Sequence, residues 1–234
     1  MIKSGSIFQS TSDTEVILHL LSTASGTLLE RLTYALNSIS GAYSLLIMTN
    51  SKLIGVRDPF GIRPLVLGKY KNSYILSSES CGLDIIGAEL IRDIEPGEIV
   101  VIKENKLESI KPFKKTKLRP CLFEYIYFSR PDSILDGKSA YEHRKNLGIE
   151  LAKENNLDAD IVVPVPDSGN AAAIGFAQHL GIKFELGLIR NHYVGRTFIE
   201  PSQKIRSLGV KLKLNANHST IKGKKIILID DSLV

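Results

Sequence analysis

Long apolar runs are missing from this sequence. No stretch approaches the ~18 residues that a membrane-spanning helix needs. The opening, Met1-Ile-Lys-Ser-Gly-Ser-Ile-Phe8, has neither an apolar segment nor a small-residue cleavage site, so no secretory leader is read there. Cysteine is scarce: Cys81 and Cys121 are the two copies. That excludes a disulfide framework and makes the cytoplasm the expected compartment. With no Cys-x-x-Cys pair, a complete metal site within the chain is not expected. His19, His143, His179 and His218 show no ligand spacing, and there is no internal repeat or low-complexity tract. Charge of one sign is only mildly in excess, with 30 Lys and Arg against 25 Asp and Glu, a net charge of +5 and a pI near 9.1. The lysines are scattered, densest at 111–117 and 222–225, which fits an anionic metabolite better than a nucleic-acid stripe.

What remains is an ordinary globular composition, 43% apolar and 24% charged, and 234 residues allow one or two domains. The two halves differ in texture. From 1 to about 115 the pattern is mostly β. Short apolar runs at 44–49, 53–56, 64–67, 74–77 and 99–102 are separated by turn residues such as Asp58-Pro-Phe-Gly61 and Glu95-Pro-Gly-Glu98. Helices are predicted over 15–21, capped by Ser12 or Asp13, and over 26–39. This half reads as a layered α+β unit. From about 138 the pattern alternates: helix 139–155 with Leu147, Leu151 and Ala152 on its apolar side, strand 161–165, helix 169–180, strand 184–189 and strand 225–229. That is βαβ logic and predicts a parallel sheet. The basic, Pro-containing stretch 103–120 is the expected domain join.

Three strings carry chemistry. Ile229-Asp-Asp-Ser232 places two carboxylates and a hydroxyl at the carboxyl end of an apolar strand, where open α/β sheets bind ligands. Such a pair can accept hydrogen bonds from vicinal sugar hydroxyls and contribute to a hard-cation site. Val163-Pro-Val-Pro-Asp-Ser-Gly169 runs from a strand through a tight turn into a helix N-terminus, an anion site built from free N–H groups and the helix dipole. Arg190, His192, Arg196, Lys204 and Arg206, with Tyr193 and Phe198, form a basic loop that could close over a polyphosphate. Read alone, Asp13 is a helix cap, and Arg57-Asp-Pro-Phe-Gly-Ile-Arg-Pro64 is a salt-bridged structural turn. The sequence stops just after Asp230, Asp231 and Ser232, so it reads as a piece of a longer enzyme.

Taken in order, several strings resemble the amidophosphoribosyltransferase (glutamine phosphoribosylpyrophosphate amidotransferase) family. They are Ser12-Asp-Thr-Glu-Val16, Arg57 to Leu65, Leu122-Phe-Glu-Tyr-Ile-Tyr-Phe-Ser-Arg-Pro-Asp-Ser133, Asn191-His-Tyr-Val-Gly-Arg-Thr-Phe198, Lys213-Leu-Asn-Ala-Asn217 and Ile229 to Val234. The resemblance implies that 1–117 is the later portion of a class II, N-terminal-nucleophile glutamine amidotransferase domain. It implies that 118–234 is the first portion of an α/β type I phosphoribosyltransferase domain. The family makes 5-phosphoribosylamine, glutamate and pyrophosphate from glutamine, phosphoribosyl pyrophosphate and water, opening purine synthesis. By resemblance, Asp13 holds the α-amino group of glutamine. Ser168, Asp230 and Asp231 serve Mg²⁺ and the phosphoribosyl pyrophosphate, with Ser232 beside them. Arg190, Tyr193 and Arg196 belong to the closing loop, where the family often has Lys at the Arg190 position and Arg at the His192 position. Some members carry a [4Fe-4S] cluster, and Cys121 matches one ligand position. The family further implies a homo-oligomer, commonly a tetramer, inhibited by purine nucleotides, with no nucleic-acid or membrane partner.

One departure matters. The family nucleophile is an N-terminal cysteine whose own amine is the base, and position 1 here is Met1. The oxyanion-hole residues, the arginine for the glutamine carboxylate and the 5-phosphate loop also find no match. No catalytic residue is therefore assigned, and the chain as given is expected to be inactive alone. Two alternatives are another phosphoribosyltransferase, which the first half does not fit, and a regulatory protein that senses phosphoribosyl pyrophosphate.

Overall fold

The computed structural model describes residues 6–155, 157–193 and 211–232. The chain forms two compact units, Met1–Cys121 and Leu122–Val234. No helix among the described residues is long and apolar enough to cross a membrane.

The first unit begins with helices α1 (Glu15–Thr23) and α2 (Leu28–Asn37). Helix α2 starts at a capping box: the Glu30 N–H donates to the Thr27 hydroxyl, and the Thr27 N–H donates back to Glu30 at 2.7 Å. Helix α1 differs from expectation at its start. Thr14 occupies the cap position and no side chain caps the helix, so neither Ser12 nor Asp13 does so.

Strands β1 (Ser44–Met48), β2 (Leu53–Arg57), β6 (Ile99–Lys103) and β7 (Lys106–Ile110) make an antiparallel sheet in the order β1-β2-β6-β7. Strands β3 (Val66–Tyr70), β4 (Ser73–Ser77) and β5 (Glu89–Asp93) make a second, ordered β4-β3-β5. Period-2 alternation on β2 and β6 explains the layering. Ile54, Val56, Ile99 and Val101 face Ile17, Leu21, Leu32 and Leu36 of the helices. Their neighbours Leu53, Val100 and Ile102 face Leu65, Leu67, Leu76 and Ile94 of the other sheet. Helix α3 (Ser80–Ile85) covers the outer face of that second sheet through Leu83, which packs with Val66. The result is helix, sheet, sheet, helix. Each fully buried Leu or Ile contributes roughly 1.5–3 kcal/mol. Helix α3, β5 and β7 escape a reading by apolar runs because their sequences mix charged and apolar residues. The basic stretch 103–120 is thus a sheet strand in its first part.

Three buried polar side chains, Arg57, Asp58 and Glu98, close this unit. The Arg57 guanidinium donates to the carbonyls of Arg63, Ile94 and Gly61 at 2.9, 2.8 and 3.2 Å, while Asp58 accepts from the Phe60 and Ile62 N–H groups at 2.9 and 3.0 Å. The motif is a structural turn held through backbone. Glu98 is 1% exposed. It accepts from both Arg92 terminal nitrogens at 2.8 and 2.7 Å, from the Glu95 N–H and from Ser109 Oγ. Burial pushes its carboxyl up, but these donors outweigh it and leave the pKa below the ordinary value.

The second unit opens with a π-helical turn, Glu124–Phe128, whose end is tied by Arg144 donating to the Tyr125 and Ser129 carbonyls. A two-strand ribbon follows, β8 (Ile134–Leu135) with β9 (Lys138–Ser139), then helix α4 (Ala140–Glu154), capped by Ser139. Strands β10 (Ile161–Pro164), β11 (Lys183–Phe184) and β14 (Ile226–Ile229) form a parallel sheet ordered β11-β10-β14. Helix α5 (Asn170–Leu180) joins β10 to β11 and packs Phe176, Ala173 and Ala177 against Val162 and Ile229. The expected single strand over 184–189 is two: β11, and β12 (Leu188–Arg190), which pairs antiparallel with β13 (Leu214–Ala216). The short helix α6 (His218–Ile221) leads back to β14.

The buried face of α4 also differs from expectation. Ala140, Arg144, Gly148 and Ala152 are buried, while Leu147 and Leu151 are 42% and 39% exposed. The reason is a close crossing with α5. A Cβ on Gly148 would sit 1.9 Å from the Ala172 carbonyl oxygen, and one on Gly175 would sit 2.0 Å from that of Lys145. Only a seam of small residues lets the two backbones approach this closely.

Candidate functional site

Register builds the site in the second unit. Pro164 of β10 lies opposite Ile229 of β14, so the turn after β10 and the acidic pair after β14 leave the sheet side by side. Two backbone bonds fix the turn: Val165 N–H to the Ile229 carbonyl at 2.8 Å, and Gly169 N–H to the Val165 carbonyl at 2.9 Å. Gly169 is required, but by the protein itself. A Cβ there would meet the Ile229 oxygen at 2.5 Å and the Val165 oxygen at 2.9 Å. Its small size lets the turn lie against the end of β14. Ser168, half-buried, projects from this turn just before α5, at whose N-terminus the Asn170 N–H donates to the Asp167 carbonyl at 3.3 Å.

Arg190 ends β12 and forms an ion pair with Asp167, which ties a third loop to the first. On the acidic loop, the Asp231 N–H donates to Asp230 Oδ1 at 2.8 Å, and Ser232 Oγ donates to Asp231 Oδ1 at 2.9 Å. Burial raises the Asp230 pKa above the ordinary carboxylate value, the Asp231 N–H opposes this, and the Asp231 charge adds to the rise. Among the described residues, Asp231 Oδ2, Arg190 Nε and Asn170 Oδ1 are buried without a hydrogen-bond partner. An unpaired buried polar atom costs about 1–3 kcal/mol. Three at one sheet edge therefore mark a place where a ligand would complete the bonding. Two are acceptors and one is a donor, which suits a ligand that brings both cationic or hydroxyl groups and anionic oxygen.

Of the residues expected here, Ser168, Arg190, Asp230, Asp231 and Ser232 lie on these three neighbouring loops. Tyr193 is fully exposed two residues beyond the Asn191 that follows β12. Arg196 lies outside the described residues. Asp167 and Asn170 were not singled out in the sequence. Their types are common in turns and helix starts, and only the ion pair and the unpartnered oxygen distinguish them.

The donor set fits a hard cation. Mg²⁺ is usually held by one or two carboxylates with the remainder from water and substrate phosphate, and Asp231 Oδ2 is a buried carboxylate oxygen with nothing bound to it. Cys121 is different. It is half-buried, its N–H donates to the Ile62 carbonyl at 3.0 Å, and no group of three or more His, Cys, Asp or Glu side chains among the described residues could hold a metal.

In the first unit, Asp13 is exposed on the turn before α1, and its carboxylate accepts only a long 3.4 Å bond from Thr14 Oγ1. Nearby, Glu15 accepts from Gln9 N–H at 2.7 Å, Ser10 N–H at 2.9 Å and Ser10 Oγ at 2.6 Å. The Ser10 hydroxyl first, then the Gln9 N–H, pull its pKa down to about 2.

The family profile described as a glutamine amidotransferase domain matches residues 1–84. The amidophosphoribosyltransferase of Rhizobium etli is 53% identical over all of this chain and 48% of its own length. That of Archaeoglobus fulgidus is 45% identical over 98% of this chain and 51% of its own. The glutamine phosphoribosylpyrophosphate amidotransferase of Bacillus subtilis, solved in complex with ADP and GMP, superposes with a TM-score of 0.92 at 46% identity, over all of this chain and 51% of that one. Residues 1–84 are thus similar to glutamine amidotransferase domains. Along its whole length the chain is similar to proteins named amidophosphoribosyltransferase, and it spans about half the length of the relatives it matches.

Proposed function

We propose that this chain supplies parts of both halves of an amidophosphoribosyltransferase. Glutamine, phosphoribosyl pyrophosphate and water are converted to 5-phosphoribosylamine, glutamate and pyrophosphate, the first committed step of purine synthesis. In this reading the first unit is the later portion of an N-terminal-nucleophile glutamine amidotransferase domain. The second is the first portion of a type I phosphoribosyltransferase domain. The observation that carries it is the sheet edge where Asp231 Oδ2, Arg190 Nε and Asn170 Oδ1 are buried and unpartnered.

The roles follow from charge and position. The turn at Ser168 and the first amides of α5 bind the pyrophosphate oxygens, where the helix dipole favours negative charge. Arg190, held by Asp167, adds positive charge to the same side. Asp230 and Asp231 accept hydrogen bonds from the ribose hydroxyls and orient carbon 1 for attack. Ser168, Asp230 and Asp231 would hold Mg²⁺, which when bound neutralises charge on the departing pyrophosphate. Tyr193, and Arg196 from the segment after it, cover the substrate and keep water from competing with ammonia. The exposed Asp13 carboxylate binds the α-amino group of glutamine. Cys81 is buried and Cys121 is internal, so neither is assigned as the nucleophile. Purine nucleotides are the proposed regulators, because the Bacillus subtilis relative was solved with ADP and GMP. The intact protein is read as a cytoplasmic homo-oligomer.

Calorimetric titration of the chain with phosphoribosyl pyrophosphate tests the second unit. Binding should require Mg²⁺, and Asp231→Ala should weaken it at least about tenfold, the loss of a charge-assisted hydrogen bond. Equal affinity with and without Mg²⁺, or an unaffected Asp231→Ala variant, would remove the assignment.

A further inference from the structure

Glu15 stands at the first position of α1, where a carboxylate ordinarily serves the helix's own N–H groups. Here it points the other way. Its oxygens receive the N–H groups of Gln9 and Ser10 and the Ser10 hydroxyl, five and six residues upstream. The Ser10 oxygen in turn accepts the Ser12 N–H at 3.2 Å, so the bonding runs from α1 through residues 10 and 12 to the doorstep of Asp13. On the helix side, Glu15 N–H donates to the Ser12 carbonyl and Val16 N–H to the Asp13 carbonyl, both at 3.2 Å. Asp13 is therefore fixed in backbone from both directions, while its carboxylate keeps one long contact with its neighbour Thr14. His19, one turn along α1, lies 3.6 Å from Glu15, and its ring meets that of Phe8 with centroids 4.6 Å apart. The segment 8–12 is folded back onto α1 through this carboxylate and the Phe8–His19 ring contact. The helix itself is anchored by buried Ile17 and Leu21.

We propose that Glu15 is a positioning residue for Asp13: it locks the 9–12 turn so that the Asp13 carboxylate, exposed and holding only its long contact with Thr14 among the described residues, is presented to the α-amino group of glutamine. This rests on the glutamine reading of Asp13 given above. Three donors meet the Glu15 carboxylate, and a neutral amide in its place cannot accept from all of them. Ordering the turn before glutamine arrives removes an entropic cost of binding.

The test uses the isotope-labelled chain and two ligands, glutamine and its analogue lacking the α-amino group. In the wild type, the Gln9 and Ser10 amides should be protected from exchange and glutamine should be preferred over the analogue. Asp13→Asn should lower that preference about tenfold, and Glu15→Gln about fivefold, with exchange at Gln9 and Ser10 accelerated at least about tenfold. Ser10→Ala, which leaves α1 untouched, should act in the same direction about threefold. Unchanged methyl signals from Ile17 and Leu21 establish that the fold is intact. A Glu15→Gln chain that keeps the preference which Asp13→Asn loses, or that keeps its amide protection, overturns the positioning role. An Asp13→Asn chain with full preference, or a wild type with none, overturns the glutamine reading instead and the proposal with it.

Discussion

Glu15 and Glu98 in the first unit and Asp231 in the second are all carboxylates held in place by the fold, yet they are finished differently. Glu98 collects Arg92, Ser109 and a backbone N–H, and Glu15 collects two N–H groups and a hydroxyl. Asp231 accepts from Ser232 on one oxygen and keeps the other buried and bare. The pKa directions follow suit, lowered for Glu15 and Glu98 and raised for Asp230 beside Asp231. A carboxylate whose bonds are complete stabilises the fold. One whose bonds are left open weakens the fold and is available to a ligand.

The largest effect should come from breaking the most complete of these sets. Glu98→Ala removes a buried carboxylate from Arg92, whose side chain is 36% exposed, and should cost about 2 kcal/mol in urea denaturation, since the Glu95 N–H and Ser109 Oγ also lose their acceptor. A loss under about 1 kcal/mol would mean that the Glu98 bonds merely replace equivalent bonds to water. Asp231→Asn sharpens the contrast from the other side. Removing the charge without the shape should leave unfolding stability within about 1 kcal/mol of wild type or raise it, and a marked destabilisation would place Asp231 with the structural carboxylates.

The smallest effect is a difference in pH dependence. The folded Glu15 pKa of about 2 lies below the ordinary 4.5. Its stabilising contribution is complete above the ordinary value and is lost as pH falls through 4.5 toward 2. The Asp230 pKa is raised, so the native state binds more protons there, and this contribution weakens as pH rises through the folded pKa. Denaturation curves of Glu15→Gln should therefore diverge from wild type most at neutral pH and converge in acid. Those of Asp230→Asn should show the mutant gaining on wild type as pH rises from 3 to 7. The same sign for both variants would refute the contrast between the two carboxylates.

Much of the first unit was legible because its strands are short apolar runs between turn residues, and buried alternating faces impose that pattern. The parallel sheet was legible for the same reason at Ile161 to Pro164 and Ile226 to Ile229. Where the reading failed, apolar count was a poor guide. Helix α4 buries Gly148 and Ala152 and exposes Leu147 and Leu151, because contact with α5 at backbone distance excludes larger side chains. Strand β7 and helix α3 mix charge with apolar residues and show no clear period. Asp13 read as a cap because its type favours one, but the cap position belongs to Thr14.

The sequence alone determined that a strand would deliver Asp230, Asp231 and Ser232 to its carboxyl end, that a turn with Ser168 would precede a helix, and that the strings around them resemble one enzyme family. Local pattern suffices for these, since each feature lies within a few residues of chain. Tertiary structure decided which polar atoms were left without partners. Whether Asp231 or Glu15 is satisfied depends on groups brought together by register and by helix packing. The Asp167 that holds Arg190 lies on a separate loop, and the Ser10 and Gln9 that fill Glu15 reach it only because the chain folds back. Spacing along the sequence does not encode such closures, because they are fixed by geometry in three dimensions.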